Sequence, residues 1–566
     1  MDRALMTSDE PEEPNTRADW QMLCLAVGVG VVAGLGAVAF RGLIGFFHNL
    51  LFLGRLSFEY DANTHTPESP WGLGIVLVPV LGALGVTYMV KHFAPEAKGH
   101  GVPEVMDAIF HQKGRIRPVV ALVKALASAL SIGSGGSVGR EGPIIQIGSA
   151  FGSSLGQWVR MPVHQRVTLI AAGAGGGIAA TFNTPIGGLA FAMELMLPVV
   201  RARSVLLVGL ATVTATHIGR IFVGDVPSFD VADIRIPADR AMFLVGLLLF
   251  VVLGVFVGLL STVFVRSIYW FEDRFDALPG NAYSRHLLGM SIVGVIIYLF
   301  VRNSGHYYVQ GVGYATIIDI LDGSMTAVGL LALLLAAKLL VTCLTLGSGA
   351  SGGVFSPALF LGACLGGLFG LGAQSLLGES SPGVGTCAVA GMAGMIGGTT
   401  GAAFTAITMA FEMTRDVRAI LPIVLVVCIA YAVRSRLSRP NIYTLKLLRR
   451  GQVVPEGLVA GLITSRNVCD AMLAAIVDPT AEGEPGDWMS AVVTIDGDGP
   501  ALLRPSVEGI PCITVHEKDE LTEVLYLLRR DGSRLAVVTD ASGEVVGVLR
   551  DEEIAELARR DAELLR

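Results

Sequence analysis

Apolar residues form long runs over most of the chain and strand-length runs near its end. Seven long runs lie at about 20–52, 72–92, 202–222, 240–270, 286–302, 326–346 and 419–434. Eight shorter runs lie between them, at about 103–111, 119–132, 143–158, 166–180, 186–197, 357–372, 384–399 and 402–413. Many of these are shorter than the roughly 17–20 residues that an upright membrane helix needs. The pattern predicts an all-α membrane body in which several helices are broken.

Glycine and proline bound the short runs, at 133–142, at Pro185 and at 347–357. A bilayer tolerates a broken helix only where other protein or a water-filled cavity satisfies the freed backbone groups. The breaks therefore predict a buried polar site in the middle of the membrane.

The membrane body repeats itself. GSGGSVGREGP (133–143) and GSGASGGVFSP (347–357) agree at six of eleven positions, and the run ending at Glu194 resembles the run ending at Glu412. The two offsets, 214 and 218 residues, are nearly equal. This predicts two copies of one unit, about 20–222 and 240–434, and matched broken helices in two halves indicate a central transport site.

The composition agrees with a membrane protein, because 52% of the residues are hydrophobic and 16% are charged, against about 25% charged in ordinary globular domains. The net charge of −7 lacks the basic face of a nucleic-acid-binding protein. Basic residues follow the last long run and predict a cytoplasmic end there: Arg434, Arg436, Arg439, Lys446, Arg449 and Arg450. The polar residues 1–19 are expected to form a cytoplasmic tail rather than a cleaved signal peptide.

Beyond about 451, charged residues become frequent and the chain changes character. From 512 the pattern is strand, helix, strand, turn, strand, helix, which predicts a small cytoplasmic α/β module within 451–566. The seven cysteines include no CxxC pair, so neither a disulfide framework nor a zinc site is expected. No catalytic triad, Walker loop or metal cluster is visible, so we expect no enzyme activity and no cofactor.

The GREGP sequence contains the first candidate site. Gly139 and Gly142 allow close approach of the backbone to a ligand, and Pro143 suits the first turn of a helix. A helix that begins here directs free N–H groups and a positive dipole end at an anion. Glu141 is a carboxylate tethered where a free anion would bind, which makes it a candidate gate, and Arg140 adds positive potential.

The second half supplies the counterpart, GGVFSP (352–357), with the backbone N–H groups of Val354, Phe355 and Ser356 as anion donors. Backbone donors suit a transporter, because permeation needs sites that also release the ion. GHGVPE (99–104) places His100 between two glycines at another helix start. Tyr443 is either a hydroxyl donor to the anion or an interfacial anchor.

These motifs, together with FNTPIGG and AFEMTRD and in this order, resemble the CLC family of chloride channels and proton/chloride antiporters. The resemblance covers about 20–450. It implies a homodimer with one pore per subunit, each subunit built from two inverted halves of broken, tilted helices. Chloride is the expected substrate, with other halides or nitrate as alternatives.

The resemblance implies Glu141 as the external gate. The amides of Val354 and Phe355 and the hydroxyl of Tyr443 are then expected at the central anion, with His100 at the inner gate. The family commonly has Ser where this chain has His100. Its ring N–H is a possible donor, and a pKa near neutrality would make conduction sensitive to cytoplasmic pH; alternatively the ring points into the vestibule.

The proton path also departs from the family. Antiporters often carry a second, internal glutamate, and here Glu194 is followed by Leu195 at the internal proton-transfer position. Leucine cannot carry a proton, so the sequence favours a passive, pH-gated chloride channel. The alternatives are a proton-coupled antiporter that uses Glu141 and Glu194, and a membrane anion sensor. Glu412, the counterpart of Glu194, is expected to be structural.

The C-terminal module resembles a CBS domain, with a good copy at 512–560 and a degenerate first copy before it. The usual hydroxyl and Asp for a nucleotide are replaced by Arg550 and Glu553, so we do not expect a bound nucleotide. We expect the protein in the inner membrane of a bacterium, in contact with lipid and with both termini in the cytoplasm.

Overall fold

The computed structural model describes most of the membrane body and parts of the C-terminal module. The described residues are 19–198, 200–225, a few positions between 228 and 234, 240–452, position 454, and the strands of the C-terminal module with isolated positions near them. The predicted tail 1–19 lies outside this range except for Asp19. The chain divides into two compact units, 1–197 with 202–453 and 198–201 with 454–566.

The described part of the first unit is helical, as expected. Its helices are α1 Asp19–Leu53, α2 Leu77–His92, α3 Val102–Phe110, α4 Pro118–Gly133, α5 Glu141–Trp158, α6 Val163–Phe182, α7 Pro185–Phe191, α8 Ala202–Val223, α9 Arg240–Ala277, α10 Ala282–Ser304, α11 Tyr314–Leu321, α12 Val328–Ser348, α13 Phe355–Leu377, α14 Val384–Thr400, α15 Ala403–Thr414, α16 Ile420–Leu437 and α17 Thr444–Arg449. A π-helical segment, Ala192–Met196, follows α7 directly.

Eight of the described helices are long and apolar enough to cross a membrane. Seven of them coincide with the long apolar runs. The eighth is α13, which the sequence placed among the short runs, because its apolar pattern continues to Leu377. The helices α3, α4, α7 and α15 are short, with 9, 16, 7 and 12 residues. Broken helices are therefore confirmed.

One pair of equivalent residues in the two halves makes reciprocal contacts. Gly139 and Gly353 occupy equivalent positions in the two Gly-rich motifs and form an antiparallel bridge. The N–H of Gly139 donates to the carbonyl of Gly353 at 2.7 Å, and the N–H of Gly353 donates back at 2.6 Å. Reciprocal contacts between equivalent residues are what a two-fold axis requires. The two inverted repeats are confirmed.

Small residues bring equivalent helix pairs into backbone contact. A Cβ built on Gly148 of α5 would lie 2.2 Å from the carbonyl oxygen of Gly173 in α6. In the second repeat, a Cβ on Gly362 of α13 would lie 2.4 Å from the carbonyl oxygen of Gly391 in α14. Close approach through small residues is the usual way in which helices pack inside membranes. The helices that carry the two Gly-rich motifs are held rigidly in this way.

The second unit contains six described strands, β1 Leu473–Val477, β2 Ser490–Thr494, β3 Ala501–Pro505, β4 Ile510–His516, β5 Leu535–Thr539 and β6 Val545–Arg550. They close into a barrel in the order β1-β3-β2-β4-β5-β6. The β1–β3 and β4–β5 pairs are parallel and the other pairs are antiparallel. Strands β4, β5 and β6 confirm the strands predicted from 512 onward. Of the two predicted helices between and after them, Val524 and Leu528 are described as helical and buried, and Asp519 at the predicted start of the first is a bend.

Replacing Gly173 with Ala should lower the melting temperature in detergent by several degrees. The added methyl group must push α5 and α6 apart, and overpacking of this kind costs about 1–3 kcal/mol. Gly28→Ala in α1 is the matched control, because nothing lies within 4 Å of a Cβ at Gly28. Differential scanning fluorimetry on both purified variants measures the effect, and equal melting temperatures would contradict this account of the packing.

Candidate functional site

The starts of α5 and α13 meet where the two Gly-rich motifs pair. Arg140 precedes α5 and Val354 precedes α13. Each helix begins with N–H groups that have no partner in their own helix and with the positive end of its dipole. Both starts are buried, since Glu141 is 1% exposed and Phe355 is 3% exposed. The fold therefore concentrates positive electrostatic potential away from solvent.

The carboxyl group of Glu141 lies at the start of α13. The Tyr314 hydroxyl donates to Oε1 of Glu141 at 2.8 Å, and the N–H of Ser356 donates to Oε2 at 3.3 Å. The Ser356 hydroxyl donates to Oε1 as well. A carboxyl group thus occupies the helix terminus at which the sequence predicts an anion. Tyr314 was not predicted.

Two glycines of GREGP are required by close approach. A Cβ on Gly139 would lie 2.1 Å from Oε2 of Glu141, so any larger residue would displace the carboxyl group. A Cβ on Gly142 would lie 2.0 Å from the carbonyl oxygen of His100. Gly142 therefore lets the start of α5 lie against the loop before α3, which brings His100 close to the same site.

Three buried aromatic side chains form a cluster at that loop. The ring centroid of His100 is 6.1 Å from that of Tyr443 and 6.3 Å from that of Tyr269 in α9. The Tyr269 hydroxyl donates to the carbonyl oxygen of Ile442 at 2.5 Å and lies 3.4 Å from Nε2 of His100. Nδ1 of His100 is buried and has no hydrogen-bond partner among the described residues. The structure brings His100 and Tyr443 together, and it adds Tyr269, which the sequence did not identify.

Positive charge surrounds this cluster. Burial, and then the charges of Lys446, Lys124 and Arg450, lower the pKa of His100 well below its ordinary value. The imidazole is therefore neutral near pH 7, which argues against the cytoplasmic pH response expected from the sequence. Burial raises the pKa of Tyr443, so its hydroxyl stays protonated and able to donate.

Glu104 in α3 pairs with two of these cations. Nζ of Lys446 lies 3.0 Å from Oε1 of Glu104, and Nη1 of Arg450 lies 2.8 Å from Oε2. Burial raises the pKa of Glu104, but the charge of Lys446 and the hydrogen bonds from Arg450 outweigh it and lower the pKa below its usual value. Glu104 is thus ionised near neutral pH and fixes α17 against α3.

Two buried lysines hold the loops in front of the site. Nζ of Lys124 donates to the carbonyl oxygens of Ala97 at 3.0 Å and Gly99 at 2.6 Å. Nζ of Lys338 donates to the carbonyl oxygens of Val309 at 3.0 Å and Gly311 at 2.9 Å. The lysines are 214 residues apart, which is the offset of the Gly-rich motifs. Each repeat therefore uses one lysine to fix the loop that precedes a short helix, α3 or α11.

Arg140 lies beside the gate rather than on it. Its guanidinium carbon is 5.2 Å from the ring centroid of Tyr314, and its Nη2 donates to the carbonyl oxygen of Thr181 at 3.4 Å. Arg140 also lines a cavity of about 320 Å³ together with Arg41 and Arg220. Asp61 lines it as well, 3.9 Å from Arg41. Because Tyr314 lines the same cavity, this space extends to the residue whose hydroxyl donates to Glu141.

Glu194 and Glu412 cap each other's helices. The N–H groups of Phe404 and Thr405, at the start of α15, donate to the Glu194 carboxyl group at 2.9 and 2.7 Å, and the Thr405 hydroxyl adds a bond of 2.6 Å. In return the N–H groups of Ile186 and Gly187, in the first turn of α7, donate to Glu412 at 3.1 and 2.7 Å. Both acids lie where the two repeats meet. Leu195, next to Glu194, is buried.

This arrangement of inverted repeats around paired helix starts defines a class of membrane transport proteins. The sequence profile described as "Voltage gated chloride channel" matches residues 82–435. The chain belongs to the CLC family of chloride channels and transporters. A CBS domain profile matches residues 507–560.

Two similar bacterial proteins carry the name of an exchanger. The H+/Cl− exchange transporter ClcA of Vibrio parahaemolyticus is 33% identical over 440 residues, which are 76% of this chain and 90% of that protein. The ClcA of Vibrio campbellii is 32% identical over 445 residues, covering 77% of this chain and 91% of that protein. Together with the eight described helices that could cross a membrane, these similarities support a multi-pass membrane transport protein.

Solved structures agree with the fold. A slow cyanobacterial Cl−/H+ antiporter superposes with a TM-score of 0.66 at 26% identity, over 77% of this chain and 99% of that one. A eukaryotic CLC transporter superposes with a TM-score of 0.63 at 21% identity, over 94% of this chain and 98% of that one. The second likeness concerns the fold alone.

Glu194→Gln and Glu412→Gln should each destabilise the protein by about 1–2 kcal/mol, because each removes a charged cap from a helix start. The double variant should lose about the sum, since the two carboxyl groups cap different helices. Thermal unfolding in detergent measures all three. A single variant that melts with the wild type would show that its carboxyl group does not act as a cap.

Proposed function

We propose that this protein exchanges chloride for protons across the membrane, with Glu141 as both the gate and the proton acceptor. The observation that carries the proposal is the carboxyl group of Glu141 at the start of α13, where it takes three hydrogen bonds. The names of the similar proteins support exchange over passive conduction, which the sequence had favoured.

The gate works through competition for the same donors. While Glu141 is ionised, its carboxylate occupies the N-terminus of α13 and excludes a free anion of the same charge. A proton removes that charge and weakens the hydrogen bonds, because bonds to an ionised acceptor are roughly twice as strong as neutral ones. The side chain then leaves and a chloride ion takes its place. Loss of the proton restores the carboxylate, which returns to α13 and expels the chloride.

The anion donors in this proposal are neutral. The amides of Val354, Phe355 and Ser356 at the start of α13 and the hydroxyl of Tyr443 offer N–H and O–H groups without a formal charge. Neutral His100 offers a ring N–H at the inner end. Such sites attract an anion and still release it, which permeation requires. Arg140 raises the local anion concentration from the neighbouring cavity.

The route of the proton on the cytoplasmic side is less direct than in relatives with two adjacent glutamates. Leu195 cannot carry a proton. The carboxyl group of Glu194 already accepts three hydrogen bonds from donors of α15. We therefore assign Glu194 to capping rather than to proton transfer. Leu195 is the one feature that favours the alternative function, a passive chloride channel.

We also propose that the protein acts as a homodimer with both termini in the cytoplasm. The dimer rests on membership of the family. The orientation rests on the basic residues after α16. The CBS-like unit has a regulatory or dimer-supporting role in this proposal and binds no nucleotide, because Arg550 and Glu553 replace the usual ligands.

Chloride efflux from proteoliposomes, with external pH recorded in the same cuvette, tests the proposal. The wild type should take up protons as chloride leaves. Glu141→Gln should move chloride with no proton uptake, because the amide can neither bind nor release the proton. Glu194→Gln is the matched control and should retain coupled proton movement.

Each other outcome has a definite meaning. Chloride efflux from the wild type without proton uptake would overturn exchange in favour of the passive channel. Loss of coupling in Glu194→Gln would return Glu194 to the proton path. No chloride movement in any protein would leave the anion sensor as the better hypothesis.

His100→Ser should change the ratio of nitrate to chloride transport several-fold, because it replaces a ring N–H donor with a smaller hydroxyl at the inner end of the path. Its pH dependence should stay that of the wild type, since His100 is neutral throughout the working range. His92→Ser, on the exposed end of α2, is the control. Equal selectivity in the two variants would mean that His100 does not face the anion.

A further inference from the structure

Tyr314 is the first residue of α11 and is 2% exposed. Its hydroxyl lies 2.8 Å from Oε1 of Glu141 and 2.9 Å from Oγ of Ser356. Tyr314 therefore contacts the Glu141 carboxyl group from a third helix, α11, and not from α5 or α13. The sequence motifs do not include it, because α11 lies between the Gly-rich segments of the two repeats.

The position of this hydroxyl is fixed from three directions. Lys338 donates to the carbonyl oxygens of Val309 and Gly311 and so holds the loop that leads into α11. The ring of Phe229 meets the ring of Tyr314 edge-on, with centroids 5.2 Å apart. The guanidinium of Arg140 lies over the Tyr314 ring at 5.2 Å. A phenol held in this way keeps its O–H directed at one place.

We propose that Tyr314 is the positioning residue that holds the Glu141 carboxylate at α13 and thereby sets the external pH at which the gate is released. A hydrogen bond to an ionised group favours that form over the protonated one. Tyr314 therefore keeps the gate in place to a lower pH than α13 alone would. This inference rests on the proposed gating role of Glu141.

The released state leaves no buried hydroxyl without a partner at this position. When Glu141 departs, the Tyr314 hydroxyl remains 2.9 Å from Oγ of Ser356, and either group can donate to the other. The cost of breaking the bond to the gate is thus partly offset. The Tyr314 hydroxyl thus has one partner while Glu141 is bound and another after Glu141 leaves. This lets the side chain of Glu141 leave and return.

Other polar and charged groups also lie near Glu141. Ser356 of α13 donates from its backbone and side chain. Arg140, Lys338 of α12 and the Tyr443 hydroxyl act on it through space. A Tyr314→Phe substitution leaves all of these groups in place, so a change in the pH profile isolates the contribution of the phenol.

The test is the rate of chloride efflux from proteoliposomes as a function of external pH. For Tyr314→Phe, the pH of half-maximal rate should rise by about one unit, the order of shift expected for the loss of one hydrogen bond to a charged group. Tyr307→Phe is the matched control: Tyr307 is buried, and its hydroxyl accepts a hydrogen bond of 2.9 Å from the N–H of Ser69. Its profile should equal that of the wild type.

Two further measurements separate the positioning role of Tyr314 from a general effect on the fold. In a Glu141→Gln background, Tyr314→Phe should cause no shift, because the group that titrates is absent. Incorporation of 3-fluorotyrosine at position 314, a stronger donor of nearly the same shape, should lower the pH of half-maximal rate. Damage to the fold cannot produce shifts of opposite sign.

The outcomes distinguish this inference from the proposed function. A wild type that moves chloride, with a Tyr314→Phe profile unchanged or shifted as far as that of Tyr307→Phe, would overturn the role of Tyr314 alone. A shift that persists in the Glu141→Gln background would overturn that role as well. A wild type that moves no chloride would overturn the proposed function itself.

Discussion

Peptide groups that are left unpaired where helices end inside a bilayer must find partners within the protein. The site is built around the solutions to this constraint. The N–H of Ser356 at the start of α13 donates to the carboxyl group of Glu141. Lys124 and Lys338 donate to the carbonyl groups before α3 and α11. Burial of an amino group costs several kcal/mol unless it is fully paired. The two lysines and the loops therefore satisfy each other.

In the proposed mechanism, the same constraint explains why the gate and the anion-binding site coincide. A helix start that is free to bind an anion is also the best available partner for a tethered carboxylate. The proposed mechanism needs no moving domain, because in it one side chain and one ion exchange places on the same backbone donors. Backbone rigidity comes from the glycine contacts between α5 and α6 and between α13 and α14.

Much of this was predictable from the sequence, and the misses have physical causes. The helix starts at Glu141 and Phe355 carry Gly and Pro signals, so the motifs located them. Tyr314 begins an eight-residue helix that has Gly313 at its N-cap but no proline in its first turn, and it lies outside the two matched Gly-rich motifs. Tyr269 lies inside a 38-residue apolar helix, where one hydroxyl changes little in the pattern. The pairing of Glu104 with Lys446 spans more than three hundred residues, and neither apolar periodicity nor local motifs encode such contacts.

The mutual caps of α7 and α15 set an order of assembly on the growing chain. The first repeat leaves the ribosome with the start of α7 uncapped, because its partner Glu412 lies 226 residues beyond Ile186. At about 5–20 residues per second, that helix start waits roughly 10–45 s for its cap. During this interval the N–H groups of Ile186 and Gly187 lack the carboxyl group that caps them in the complete protein. The first repeat therefore gains the cap of α7 only when the second repeat is made. Each repeat depends on the other for one helix cap.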